Sequence, residues 1–252
     1  WLGTIGAPWI LPADGVDHVE TPGGEKIKAE RWLLDPPESV GPTTDDAKRL
    51  YWFTYPDQAS ARLPLVFNPS SAAPRSIEVV EHASIGERVP ISDGVDMTSL
   101  GNAIHACIAT AFTDPRVPLT SQEAGSILAA MGVGDKISTS AVLRQIDALK
   151  DWIRKRWGES NVLTEYPVEG IRENGQVIRG RTDMLVRTPK GWILLDHKAN
   201  PSGPERWADI AQEHGGQLAE YAGAIEKASG MPVLESWIFL PVAGGAVSFK
   251  YC

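Results

Sequence analysis

The chain has 252 residues, 42% of them hydrophobic, which is enough for one large domain or for a domain of about 150 residues with a further segment. Its formal net charge of −8 argues against a freestanding, nonspecific DNA-binding protein, because such proteins need a basic surface. The sequence shows no apolar run of the length that spans a bilayer, so we expect no association with a membrane.

The cysteine content and the first residue indicate the setting. Cys107 and Cys252 are too few for a disulfide framework or for a four-thiolate site, which favours a reducing, cytoplasmic compartment. The chain begins with Trp1 rather than with Met, which indicates either a part of a longer protein or a processed chain, and we favour the first.

The N-terminal third has little regular pattern. Residues 1–90 carry frequent proline and glycine and lack strong periodicity, so we predict an irregular connecting region with one short helix near residues 43–53. The folded domain is predicted to occupy residues 91–252.

Helices are predicted first within that domain. An apolar residue recurs every four positions from residue 100 to residue 112, which predicts a helix, and Asp96 or Thr98 can cap its start. Two more helices are predicted, at 120–131 and 138–157.

Short segments rich in Val, Ile, Leu, Thr and Trp follow. The turn sequences E-N-G-Q (173–176) and T-P-K-G (188–191) separate three of them and favour hairpins. Helices, three strands, a helix and two strands predict an α/β domain with a mixed central sheet flanked by helices. The predicted strands are 161–169, 176–187, 191–198, 233–241 and 246–251, and the intervening helix is 204–229, which begins at a proline.

A group of charged residues follows the most apolar strand. The run 192–195 leads directly into Asp196, His197 and Lys198, although buried charges are costly unless they are paired or bind a metal. Side chains alternate along a strand, so Asp196 and Lys198 share a face, and a hairpin would bring Asp183 near them. Two carboxylates suit a hard divalent cation, and the lysine could activate a metal-bound water. The alternative is an ordinary ion pair at the rim of the sheet.

Three further features could belong to the same site. Gln217 and Tyr221 lie four residues apart and share one face of the predicted helix. Gly215 and Gly216 each cost about 1 kcal/mol relative to alanine within a helix, so they indicate either a close backbone approach or a helix break. His105 lies beside the apolar face of the first helix, as a metal ligand or as an ordinary structural histidine.

Five short motifs follow one another along the chain: G-N-A-I-H (101–105), E-Y-P-V (165–168), G-R-T-D (180–183), D-H-K (196–198) and Q-L-A-E-Y (217–221). In this order they resemble the nuclease domain of the RecB family, within the PD-(D/E)xK superfamily. Such domains have a restriction-endonuclease-like core and stand at the C-terminal end of AddA-like and RecB-like helicase-nucleases that process broken DNA ends. The resemblance covers about residues 96–252.

The resemblance implies two groups of site residues. The metal ligands would be His105, Asp183, Asp196 and the main-chain carbonyl of His197. The residues with catalytic roles would be Lys198 as the catalytic lysine, together with Asp183, Asp196, Gln217, Tyr221 and Glu165. Of these, Gln217 and Tyr221 would support the site and touch DNA.

The resemblance also implies the cofactor. Mg²⁺ is the expected ion, and Mn²⁺ should substitute because an imidazole ligand suits a slightly softer cation. Some relatives carry four cysteines for an iron–sulfur cluster, which this chain lacks, so we expect none. His197 stands where the family often has tyrosine or another aromatic or apolar residue, and we expect this departure to affect packing more than chemistry. A phosphate-binding loop of the G-x-x-x-x-G-K-[ST] type does not occur, so a motor would lie outside this sequence.

We therefore predict a metal-dependent DNA exonuclease domain of a helicase-nuclease that processes double-strand breaks in DNA repair and recombination. The implied partners are DNA, an N-terminal helicase region of the same full-length chain and a second subunit. One alternative is a catalytically silent domain of this fold that binds DNA or docks, and another is an α/β domain that binds a small molecule. The residues that could contact phosphates locally, or could be ordinary solvated charges, are Arg179, Arg181, Lys190 and Arg206.

Overall fold

A computed structural model of the chain describes residues 16–29, 64–114 and 116–252. The chain forms two units, Trp1–Ser60 and Ala61–Cys252. In the described part of the first unit, β1 (His18–Glu20) and β2 (Lys26–Lys28) form an antiparallel hairpin. The helix predicted at residues 43–53 lies outside the described residues.

Three helices of the second unit follow one another along the chain, and side chains cap the first two. They are α1 (Met97–Thr113), α2 (Ser121–Ala130) and α3 (Thr139–Trp157), and α2 and α3 begin and end within one residue of their predicted bounds. Asp96 caps α1 by accepting the Ser99 N–H at 2.9 Å, and Thr120 caps α2 in a reciprocal pair of hydrogen bonds. Among the helices of the described ranges, none combines the length and the apolar character that crossing a bilayer requires.

The described part of the second unit contains one seven-stranded sheet, whose spatial order is given by the strand pairing. Its strands are β3 (Val66–Phe67), β4 (Ile77–Ser84), β5 (Asn161–Ile171), β6 (Val177–Arg187), β7 (Trp192–His197), β8 (Val233–Leu240) and β9 (Gly245–Tyr251). The order is β3-β6-β7-β8-β9-β4, with β5 paired to β6. The pairs β7–β8 and β3–β6 are parallel and the other pairs are antiparallel, which confirms the predicted mixed sheet.

Two strands of this sheet lie in the segment for which the sequence predicted irregular structure. Strand β3 is only two residues long, but β4 is eight residues long and pairs with β9 from end to end, with a bulge between Val79 and Glu81. Exposure alternates along β4 between half-buried and exposed, so its apolar signal is weak, and the long-range partner β9 defines it. The domain boundary near residue 90 remains a prediction.

The sheet is covered on both faces. Helices α1, α2 and α3 pack on one face, where Ile193 and Leu195 of β7 lie. Helix α4 (Trp207–Ser229) connects β7 to β8 and packs on the other face, where Leu194 lies. Burial on both faces explains the continuous apolar run of β7. The alternation places the next residues, Asp196 and His197, on the α4 face and the α1 face respectively.

Helix α4 runs unbroken through Gly215 and Gly216. A Cβ atom at Gly216 would overlap with the main-chain carbonyl oxygen of Ala73, and one at Gly215 would lie 2.9 Å from Ile77. Of the two explanations for the glycine pair, the close backbone approach is therefore confirmed. The pair lets the chain before β4 cross directly over α4.

We predict that Gly216→Ala destabilises the protein by at least about 1–3 kcal/mol, because the added methyl group meets rigid backbone. Gly223→Ala is the matched control on the same helix, since a Cβ at this exposed position meets no described atom within 4 Å. It should stabilise the protein by up to about 1 kcal/mol through helix propensity. Urea unfolding followed by circular dichroism gives both free energies, and equal effects of the two substitutions would contradict the close approach.

The two thiols should differ in reactivity. Burial raises the pKa of the Cys107 thiol to about 11, so at pH 8 this group is protonated as well as inaccessible, whereas Cys252 is exposed. We expect a disulfide reagent to modify one thiol quickly in the native protein at pH 8 and both in guanidinium. Cys252→Ser should abolish the fast phase, and two fast equivalents in the native protein would contradict the packing of α1.

Candidate functional site

The predicted acid–lysine group lies at the end of β7. Strands β6 and β7 pair with Met184 opposite Leu195. The same register, extended by one residue, places Asp183 opposite Asp196. Asp196 and His197 are 4% and 2% exposed, which makes them buried polar residues at the edge of an apolar core. The hairpin register assumed from the sequence is thus the observed one.

One set of contacts joins α1, β6 and β7. The Nδ1 atom of His105 lies 3.5 Å from Asp183 Oδ1, and its Nε2 atom lies 3.0 Å from the main-chain carbonyl oxygen of His197. The other oxygen of Asp183 accepts the His197 N–H at 2.7 Å. Ring nitrogens of the two histidines and a carboxylate oxygen of Asp183 all lie within 4.8 Å of one another.

A second set of contacts surrounds Asp196 on the α4 face. The Lys198 ammonium lies 2.8 Å from Asp196 Oδ2, and Gln217 Nε2 donates a long hydrogen bond of 3.4 Å to Oδ1. Apart from the ion pair, the buried Oδ2 atom has no hydrogen-bond partner among the described residues. Asp196 therefore keeps acceptor capacity that the described protein atoms leave unused.

Burial and neighbouring charges shift the ionisation of this group. Burial, followed by the charge of Asp183, raises the pKa of Asp196 despite the attraction of Lys198. Burial alone would lower the pKa of Lys198, but the carboxylate of Asp196 outweighs this and the net shift is upward. Burial holds the pKa of His197 well below its ordinary value, so its ring is neutral and can act as a metal ligand.

Two residues of α4, Gln217 and Tyr221, support the site from the α4 face of the sheet. Tyr221 is buried, and its hydroxyl accepts the Arg181 N–H at 3.3 Å. Its ring occupies the space where a side chain at Gly180 would lie, so the glycine of G-R-T-D is required by the packing of this tyrosine. Through Gln217 and Tyr221, α4 contacts Asp196 directly and holds the strand that carries Asp183.

Glu165 lies where the two strands of the β5–β6 hairpin change the faces of their side chains. Its φ of +52° is in the left-handed region, which is uncommon for a residue other than glycine. Ile178 faces α4 before this point and Leu185 faces α4 after it, although seven residues separate them. The carboxylate of Glu165 lies 2.8 Å from Arg181 Nε and 3.9 Å from His105 Nδ1. Backbone strain of this kind clusters at functional sites.

The structure therefore brings the sequence-predicted residues to one end of the sheet. The ring of His197, which the sequence assigned to packing, does pack edge-on against Phe239, but it also lies beside His105. Sequence reasoning missed His214, which is three residues before Gln217 on α4 and lines an open cleft with Lys198 and His105. Helical spacing from Gln217 was the signal that could have found it.

The comparison with protein families agrees with this geometry. Residues 79–250 match the family model of the PD-(D/E)XK nuclease superfamily. The chain belongs to this superfamily. The resemblance carried by the five motifs is thus confirmed, and so is the predicted fold class.

Several curated relatives of this nuclease-superfamily chain are helicase/nuclease subunits. An ATP-dependent helicase/nuclease subunit from Desulforudis audaxviator is 32% identical over 99 residues, which are 38% of this chain and 8% of the relative. The protein of the same name from Lactococcus lactis subsp. cremoris strain SK11 and the exonuclease/helicase subunit RexA of strain MG1363 are each 23% identical over 254 residues. These two alignments cover 91% of this chain and 21% of each relative. The chain thus spans about a fifth or less of the length of these relatives.

Nucleases of this superfamily use divalent metal ions, and the residues at the end of β7 fit such an ion. The donor set contains carboxylate oxygens, imidazole nitrogens and a main-chain carbonyl, all of which are ligands for divalent cations. Two buried atoms that could ligate a metal have capacity left: Asp196 Oδ2 contacts only the Lys198 ammonium, and His197 Nε2 has no hydrogen-bond partner among the described residues. Buried polar atoms without partners are costly, and a bound cation would satisfy the carboxylate oxygen.

We predict that Mn²⁺ raises the melting temperature of the protein, by mass action on the folded state, and that Asp183→Ala and His105→Ala lose most of this shift. At a concentration one hundred times Kd, one ion would stabilise the folded state by about 2.7 kcal/mol. Scanning calorimetry, with each variant compared to itself in EDTA, provides the measurement.

Asp209→Asn is the matched control, because it removes an exposed carboxylate that pairs with Arg206. It should keep the full shift. His197→Phe removes the imidazole ring and keeps the main-chain carbonyl. If the shift is retained, His197 binds the ion through its carbonyl alone. If the shift is reduced, the ring is also a ligand. A wild-type protein without any Mn²⁺ shift would contradict the site.

Proposed function

We propose that this chain is a metal-dependent deoxyribonuclease domain that hydrolyses phosphodiester bonds of DNA. The convergence of Asp183, Asp196 and Lys198 with His105 at one end of the sheet is the observation that carries this proposal. Helix α1, strand β6 and strand β7 contribute His105, Asp183 and Asp196 respectively. Helix α4 adds the contact of Gln217 with Asp196. Membership of the nuclease superfamily supports the assignment.

His105, Asp183, Asp196 and the carbonyl of His197 would hold the ion, with Mg²⁺ as the expected cofactor and Mn²⁺ as a substitute. When bound, the ion would polarise the scissile phosphate and lower the pKa of a bound water. Its identity is part of the proposal.

The remaining residues would act on the substrate or on the ligands. The ammonium of Lys198, held by Asp196 at the open cleft, would donate hydrogen bonds to a phosphate oxygen or orient the attacking water. Gln217 and Tyr221 would act as positioning residues, since their contacts go to Asp196 and to the backbone of Arg181. Glu165 would contribute a third carboxylate on the His105 side.

We propose further that the domain acts as an exonuclease within a helicase-nuclease that processes double-strand breaks during DNA repair and recombination. The names of the relatives support this setting, and the chain matches only a small share of their length. A helicase region of the same full-length protein and a second subunit would then deliver DNA, which agrees with the acidic net charge of −8. The two free thiols are compatible with the cytoplasmic compartment that we propose.

The test is cleavage of end-labelled single-stranded and duplex DNA with Mg²⁺ or Mn²⁺. We expect Asp183→Ala and Lys198→Ala each to lower the rate by about 100-fold or more, because Asp183 would hold the ion and Lys198 would place a positive charge at the reacting phosphate. Tyr221→Phe keeps the ring and loses one hydrogen bond, so a loss of about fivefold is expected.

Lys250→Ala is the matched control, since it removes an exposed lysine that pairs with Glu78 at the far edge of the sheet. It should cleave like the wild type. Cleavage that survives both Asp183→Ala and Lys198→Ala would refute the mechanism. DNA binding by a wild-type protein that never cleaves would support a catalytically silent domain instead.

A further inference from the structure

Two arginines lie on the open face of the β5–β6 hairpin. Ile178 and Gly180 of β6 face helix α4, so the intervening Arg179 and Arg181 project from the opposite face. Their side chains are 64% and 66% exposed. Asp183 follows two residues later on the same strand.

Each arginine is paired with a glutamate of the neighbouring strand. Arg179 Nε lies 2.7 Å from Glu169, and Arg181 Nε lies 2.8 Å from Glu165. Exposed ion pairs of this kind contribute little to stability, because solvent screens them. The guanidinium groups of both arginines are exposed, so another anion can reach them from solvent and compete with the glutamates.

Arg181 is connected to the candidate metal site through one carboxylate. While one oxygen of Glu165 lies 2.8 Å from Arg181, the other lies 3.9 Å from His105 Nδ1. The backbone N–H of Arg181 is also held by the buried Tyr221. This arginine is thus fixed at the rim of the site, and Arg179 lies next along the strand, roughly 7 Å further away.

We propose that Arg181 and Arg179 form a phosphate track, in which they bind successive phosphates of the DNA strand whose scissile bond lies at Asp183. Glu165 and Glu169 compete with the DNA for the two arginines. This inference rests on the proposed function. A guanidinium group binds phosphate through parallel hydrogen bonds, and an acidic chain with three carboxylates at its site needs local cations to hold a polyanion.

The other two arginine and lysine candidates from the sequence lie elsewhere. Lys190 is in the turn after β6, at the opposite end of that strand from Arg179. Arg206 precedes α4 and pairs with Asp209 on the same segment. Neither continues the line from Asp183 along the open face.

The test is binding of fluorescent single-stranded oligonucleotides to the whole chain in EDTA, measured by anisotropy over a range of salt concentrations. Each phosphate contact contributes about 0.7 to the slope of log K against log salt for single strands. Arg179→Gln and Arg181→Gln should each weaken binding and lower the slope by about that amount. The loss should be equal for two oligonucleotides of unrelated sequence, because phosphate contacts carry no sequence information.

Lys250→Gln is the matched control for the arginines. This lysine is 62% exposed and pairs with Glu78 across two strands, but at the opposite edge of the sheet. It should leave affinity and slope unchanged. If Lys250→Gln lost as much DNA affinity as the arginine variants, the binding would reflect the overall charge of the protein, and the phosphate track would be overturned.

The competing glutamate provides a test in the opposite direction. Glu169→Gln frees Arg179 and should tighten binding severalfold at low salt, whereas Glu78→Gln makes the same change of net charge at the far edge and should not. Equal effects of the two substitutions would overturn the competition. Circular dichroism and melting curves verify that each surface variant is folded.

Failure of the track and failure of the proposed function are distinguishable. Wild-type protein that binds no DNA at low salt, or arginine variants that bind like the wild type, would overturn the track even if cleavage occurs. Losses in the arginine variants alone, without cleavage under Mg²⁺ or Mn²⁺, would leave the track supported and the nuclease assignment wrong.

Discussion

The burial of the Asp196 carboxylate is the constraint on which the arrangement of the site depends. This acid lies near the end of a strand that is buried on both faces, and a buried carboxylate is costly without compensation. Lys198 supplies an ammonium on the same face and Gln217 supplies an amide from α4, yet one oxygen keeps unused acceptor capacity. A divalent ion would use this acceptor capacity. The burial of Asp196 would thus explain both the contacts around it and the proposed binding of a metal.

Helix α4 can contact Asp196 only because small residues let the helix lie close to the sheet and to the chain before β4. Gly216 admits the backbone at Ala73, and Gly180 admits the ring of Tyr221. Gly180 and Tyr221 belong to the motifs that resemble a nuclease pattern, but their contact here is a packing contact. A motif position can therefore serve catalysis by controlling how closely a helix and a sheet come together.

The hairpin of β5 and β6 adds a second constraint. Its side chains change faces near Glu165 and Asp183, where Glu165 adopts a left-handed conformation. The change directs both acids toward His105 of α1 and leaves the arginines before it on the open face. Local strain in one strand thus separates the residues that would hold the metal from those that we assign to the DNA backbone.

The sequence by itself determined the elements and the kinds of residue at the site. Helical periodicity set α1, α2 and α3, with a cap predicted for α1. Turn signals set the hairpins, and an acid–lysine pair at the end of an apolar run indicated buried charge. Only the tertiary structure decided which features became contacts: the pairing of β4 with β9, the role of the glycines of α4 and the position of the His197 ring. Caps and turns arise from neighbours in the chain, whereas these contacts join residues far apart in sequence, and no local pattern encodes such distances.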